Sequence, residues 1–166
     1  TDVIFKYPNS AGPALNGLSF QIPAGRVTAL VGPSGGGKST TIDMLPRLRD
    51  CTDGKIMVDG IDLKDFDLDS LRGGIGYLPQ APQIFNVTAK EHIAYARPES
   101  SQKEILEAAR DAGALEFIQR LPEGFDTSLG EDGGRLSGAQ RQRLDYAPAL
   151  NQRSAIIVLD EPTTKH

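Results

Sequence analysis

The sequence predicts an α/β fold with a mostly parallel sheet, on three observations. Two almost continuously apolar runs, Val27-Thr28-Ala29-Leu30-Val31 and Ala155-Ile156-Ile157-Val158-Leu159, read as strands buried on both faces, the pattern of parallel sheets. The first runs into a glycine cluster, the second into Asp160-Glu161. Between them several segments carry helical spacing, so that strands and helices alternate along the chain.

In chain order, residues 3–7 partly alternate in polarity and end at Pro8, while residues 18–22 alternate cleanly and end at Pro23. Both read as short strands, the second with one wet face. Helical spacing marks residues 39–49, 103–113, 114–120 and 138–150, with Ile105, Ala108, Ala109 and Ala112 forming one apolar stripe. From about Val87 to Leu144 no segment reads as a buried strand. The expected layout is therefore a core of residues 1–86 and 145–166 with a helical subdomain at about 87–144.

Composition narrows the function. The chain has 166 residues, 22 acidic and 18 basic, for a net charge of −4. That balance disfavours nucleic acid as a partner, which needs clustered Lys and Arg. No apolar run approaches the roughly 18 residues that cross a bilayer. Cys51 stands alone, which excludes a disulfide framework or thiolate cluster and fits a reducing, cytosolic setting. Opening on Thr1 without a signal segment and stopping just after the last apolar run, the sequence reads as a fragment.

Gly32-Pro33-Ser34-Gly35-Gly36-Gly37-Lys38-Ser39 satisfies G-x-x-x-x-G-K-[ST], after an apolar run and before helical spacing. Glycines let successive N–H groups converge on one cavity, where a helix N-terminus adds its positive dipole end. Lys38 supplies a full charge for the β and γ phosphates, and the Ser39 hydroxyl a ligand for Mg2+. At the other strand end, adjacent Asp160 and Glu161 point in different directions. One suits the Mg2+ of a nucleotide and the other an attacking water. Leu136-Ser137-Gly138-Ala139-Gln140 opens a helix that Ser137 can cap, leaving first-turn N–H groups as a second anion site. Such a site makes sense if it closes over a nucleotide held by another copy.

The stretch from Leu136 to Gln140 resembles the LSGGQ signature of ATP-binding cassette proteins, with Ala139 in the fourth place. The phosphate loop (Walker A) and the acidic strand end (Walker B) occur in that family's order. Between them Tyr77-Leu78-Pro79-Gln80 looks like its Q-loop, and Tyr7 stands where an adenine-stacking aromatic would be. Phe85-Asn86-Val87-Thr88, Gly124-Phe125-Asp126-Thr127 and Gly130-Glu131-Asp132-Gly133 look like exporter segments that touch transmembrane coupling helices. The resemblance implies a P-loop ATPase core with a helical subdomain, incomplete at the C-terminus, binding ATP and Mg2+. It implies that Gly32, Pro33, Ser34, Gly35, Gly36, Gly37, Lys38, Ser39 and Thr40 hold phosphates, and that Ser39, Gln80 and Asp160 serve the metal. Glu161 would be the general base, with Gln80 and Lys38 in catalysis. Leu136, Ser137, Gly138, Ala139 and Gln140 would serve a second nucleotide-binding domain, head to tail. Tyr7 stays open between base stacking and core packing beside Phe5, and Gln80 between sensing and an ordinary loop role. Arg141, Gln142 and Arg143 match the family pattern or form a solvated face. His92 and His166 lack metal-ligand spacing and read as surface or tail residues.

The sequence departs from the family in four ways. It stops before the D-loop and the later histidine of the family. In that fold the strand after Walker B lies between the Walker A and Walker B strands, so each is expected to lack its neighbour on that side here, and the chain alone is not expected to be a stable monomer. Further protein, or a partner, would fill the gap. Pro46 and Pro148 fall within helical spacing, each breaking a helix or marking its end. Asp145 stands where the family prefers small apolar residues. Three functions follow: an exporter's ATP-hydrolysing motor at the cytoplasmic face of a membrane, attached to transmembrane domains; a non-hydrolysing, nucleotide-dependent interaction module; or a soluble non-transport ATPase. The transported substrate is not encoded in these residues.

Overall fold

A computed structural model describes residues 1–160, which fall into two compact units, Thr1–Arg72 and a second beginning at Gly73. Glu161 and His166 lie outside the described residues.

In the first unit β1 (Val3–Phe5) pairs antiparallel with β2 (Leu15–Leu18) in a bulged register, Val3 opposite Leu18 and Phe5 opposite Leu15. Val3, Phe5, Leu15, Met44 and Cys51 form its buried core. The strand expected over residues 18–22 is displaced, because β1 is only three residues long and pairs no further than Leu18. Phe20 and Ile22 consequently lie exposed. A larger correction concerns residues 27–31, which form no strand; Val27 is 101% and Val31 89% exposed. Apolar composition alone cannot satisfy a strand's N–H and C=O groups, and among the described residues no neighbour supplies that ladder. Helix α1 (Lys38–Asp43) is shorter than its expected span, stopping before Pro46. The turn beyond it is fastened by Arg72, whose guanidinium donates to the carbonyls of Pro46 (3.0 Å) and Arg47 (3.2 Å). A small hairpin, β3 (Met57–Val58) with β4 (Ile61–Asp62), and α2 (Leu68–Gly73) complete this part.

The second unit is built on β5 (Ile75–Leu78) and β6 (Ile156–Leu159), paired in parallel with Leu78 opposite Leu159. Parallel strands need a long crossover, and here it carries α3 (Ala89–Ala94), α4 (Gln102–Asp111), α5 (Leu115–Gln119) and α6 (Gly138–Asn151). β5 and β6 are the one parallel pair among the described residues. The expectation that the last apolar run is buried on both faces fails, since Val158 is buried but Ile157 and Leu159 are half exposed.

The helices bury Ile93, Ile105, Ile118, Leu129 and Leu144 in one apolar cluster, joined by the whole expected stripe of α4. Thr88, Ser101 and Ser137 each start a helix with a reciprocal capping box to Glu91, Glu104 and Gln140. Helix α6 runs through Pro148 rather than ending there; the missing N–H falls in the last turn, and Gln152 N–H still bonds the Pro148 carbonyl at 2.9 Å. Its C-terminal part packs on β5, where a Cβ at Gly76 would meet Ala149 at 3.3 Å. His92 is a further correction. It is buried in α3, 1% exposed, with neither ring nitrogen hydrogen-bonded, and burial drops its pKa from 6.5 to about 4. No described helix is long and apolar enough to cross a membrane.

Candidate functional site

The phosphate loop keeps its shape without a flanking strand because its bends are local. Gly35 and Gly37 have φ of 75° and 80°, and a Cβ on Gly37 would come within 2.6 Å of Leu15 and 2.8 Å of the Ala14 carbonyl. Gly37 is also the N-cap of α1 and, lacking a side chain, offers the first turn no side-chain cap. Lys38 folds over the loop and donates from Nζ to the carbonyls of Gly32 (3.0 Å) and Pro33 (2.9 Å). Gly32, Pro33, Ser34, Gly35, Gly36 and Ser39 are exposed, and Lys38 is partly so.

Thr40 is buried, and its hydroxyl shares a 3.0 Å hydrogen bond with the Tyr7 hydroxyl. Tyr7 also meets Phe5 edge to face at 4.9 Å between centroids and carries the Arg49 guanidinium 4.8 Å above its ring. Tyr7 is thus anchored to α1 at its hydroxyl and to a cation at one face. The bond to Thr40 spans 33 residues and has no signature in local sequence.

In the second unit the parallel register brings the ends of β5 and β6 together, and Asp160 N–H donates to the Leu78 carbonyl at 3.0 Å. Gln80 and Asp160 therefore emerge at the same end of the pair and line one cavity with Pro79, Pro82, Gln142 and Asp145. The hydroxyl of Ser39 and the side-chain oxygens of Gln80 and Asp160 are hard donors, the chemistry Mg2+ takes. At the head of α6, Ser137 Oγ accepts from Gln140 N–H at 3.2 Å while Gln140 Oε1 accepts from Ser137 N–H at 2.8 Å. Beyond its chain neighbours and the helix's own backbone, nothing lies within 4 Å of where a Gly138 Cβ would stand. Leu136 faces inward and belongs to the apolar cluster, while Ala139 is exposed.

Sequence reasoning singled out Asp145 as an unexpected charge but missed its role. Its carboxylate accepts a 3.0 Å hydrogen bond from the backbone N–H of Gln83, 62 positions away. Burial raises its pKa above the ordinary aspartate value, and the Gln83 N–H partly offsets this. The only local signal was the charge itself at an otherwise apolar helix position.

The sequence model of the ABC transporter family matches residues 15–164. An ATP-dependent lipid A-core flippase of Chromobacterium violaceum is 46% identical over 162 residues, covering 98% of this chain and 28% of that protein. The heterocyst differentiation ATP-binding protein HepA of a Nostoc species is 48% identical over 90% of this chain and 25% of its own length. Among solved structures, a bacterial Atm1-family ABC exporter with ATP bound superposes with a TM-score of 0.92 at 42% identity, over 97% of this chain and 28% of the exporter. The chain thus spans little more than a quarter of the length of these relatives. A glycine-bent phosphate loop, a Gln and an Asp at one end of a parallel strand pair, and a serine-capped signature helix accompany these matches, and the chain belongs to the ABC transporter family.

Proposed function

We propose that this chain is the ATP-hydrolysing motor domain of an exporter, acting at the cytoplasmic face of a membrane through attached transmembrane domains. The observation that carries the reading is the phosphate loop, which holds positive-φ glycines, an uncapped helix entry and Lys38 within one short segment. In this reading residues 1–86 and 145–166 are the core, and about 87–144 the helical subdomain that presents the signature.

The loop amides of residues 35–37 receive the phosphates of ATP, with Thr40 and the face of Tyr7 opposite Arg49 completing the pocket for the nucleotide. Lys38 exchanges two neutral carbonyl acceptors for phosphate oxygens, a gain because hydrogen bonds between charged partners are roughly twice as strong. Ser39, Gln80 and Asp160 would hold Mg2+, which would supply neutralisation of the phosphate charge. Glu161 takes the proton of the attacking water and Gln80 orients that water. Ser137 and Gly138 of a second copy offer N–H and hydroxyl donors to the γ-phosphate from the opposite side, so two domains close head to tail. These donors stabilise the charge of the transferring phosphoryl group, which is most of what catalysis of this reaction requires.

Steady-state ATPase assays on the intact protein test the reading. Glu161→Gln is expected to lower kcat at least 100-fold, within the range of a lost general base, while ATP still binds. Full ATP binding with no turnover in the parent would instead favour the non-hydrolysing interaction module.

A further inference from the structure

Helix α6 carries two attachments of different kinds. At its N-cap Ser137 closes the capping box that shapes the signature. Eight residues on, about 12 Å along the axis at 1.5 Å per residue, Asp145 accepts the Gln83 N–H at 3.0 Å. Gln83 lies three residues beyond Gln80, and the intervening Pro82 has one soft backbone dihedral fewer than other residues. Fixing Gln83 therefore limits where Gln80 can travel. The same cavity is lined by Gln80, Pro82, Asp145 and Asp160, so the tether and the acidic strand end border one space.

We propose that Asp145 is a positioning residue that latches the Q-loop to the signature helix, so that Gln80 moves with α6 instead of independently of it. The tie is a bond from an N–H to a carboxylate, which is stronger than a neutral pair and costs more to break. Withdrawing that carboxylate partly from water is itself unfavourable, and the Gln83 N–H is the compensation the structure provides. A loop held this way shifts only when the bond breaks or the helix follows. The latch consequently restrains turnover wherever Gln80 must reposition within the cycle. The part concerning turnover rests on the motor reading above; the part concerning the loop does not.

The test compares Asp145→Ala and Asp145→Asn in the intact protein by amide hydrogen exchange across residues 80–85 and by ATPase kinetics. Alanine removes the acceptor, and asparagine keeps a neutral one at the same place. For Asp145→Ala, exchange at Gln83 is expected to be at least tenfold faster and kcat at least threefold higher, with the Kd for ATP within twofold of the parent. Asparagine should return both quantities toward the parent. Exchange within twofold of the parent in the alanine variant would overturn the latch. So would a kcat that is unchanged or lowered, or a change that follows loss of thermal stability and is not rescued by asparagine. If the parent binds ATP without hydrolysing it, the motor reading fails, and the exchange at Gln83 alone decides whether Asp145 holds the loop.

Discussion

The two units each place a loop at the end of an apolar run, by different means. In the second, the run 156–159 is a strand because β5 is beside it, and Gln80 and Asp160 converge because the register is set. In the first, the run 27–31 has no ladder and lies in solvent, yet the loop after it keeps its bends. The contrast separates two kinds of instruction. A glycine at φ of 80° against the Ala14 carbonyl is fixed by sterics a few ångströms away, whereas a strand exists only when another strand satisfies its backbone.

The largest expected effect sharpens that contrast. Ile118→Ala removes a fully buried side chain from the helical cluster and should destabilise the second unit by about 2–5 kcal/mol, the usual range for a cavity of that size. Val31→Ser, in an exposed run of similar hydrophobicity, should change stability by less than about 0.5 kcal/mol. Denaturant unfolding of both variants reads the difference directly. A cost at Val31 rivalling that at Ile118 would mean the run is packed in the protein.

Next in size is a pH effect confined to the second unit. His92 is neutral in its apolar site, with a folded pKa of about 4 against 6.5 for the ordinary side chain. The unfolded chain therefore binds the proton first. The titration leaves stability unchanged above pH 6.5 and lowers it as pH falls toward 4, by a total of about 3 kcal/mol at 1.36 kcal/mol per pH unit. Asp145 acts in the opposite sense, since its raised pKa makes protonation favour the folded state. His92→Leu should flatten the loss between pH 6.5 and 4 in stability measured across that range. An unaltered slope would mean the imidazole is hydrated or paired.

A smaller effect probes the helix that carries the signature. Ser137→Ala should cost about 1 kcal/mol by leaving the Gln140 N–H without its acceptor, detectable by thermal unfolding. An unchanged Tm would show that the cap is dispensable in solution.

What the sequence made legible follows the same division. The phosphate loop, the serine cap and the stripe of α4 are patterns within four to eight residues, and the structure holds each of them. The strand at 27–31 was misread because apolarity states a preference for burial and says nothing of who does the burying. His92 was misread for a comparable reason: Ala89, His92 and Ile93 share one helix face at spacings of three and four, and two apolar neighbours outweigh one polar ring. The acceptor for Gln83, and the hydroxyl pair of Tyr7 and Thr40, depend on partners 62 and 33 positions apart, which no local pattern encodes.

The most direct test of the central claim, a phosphate site held by local geometry, is a titration of the intact protein with MgATP followed by thermal unfolding, beside Lys38→Ala. A ligand that binds only the folded state adds about 2.7 kcal/mol at 100 times its Kd, so the parent's Tm should rise by several degrees. In Lys38→Ala the rise should all but vanish at the same ATP concentrations. An equal rise in both proteins, or none in either, would contradict the assignment of this loop as the nucleotide's phosphate site.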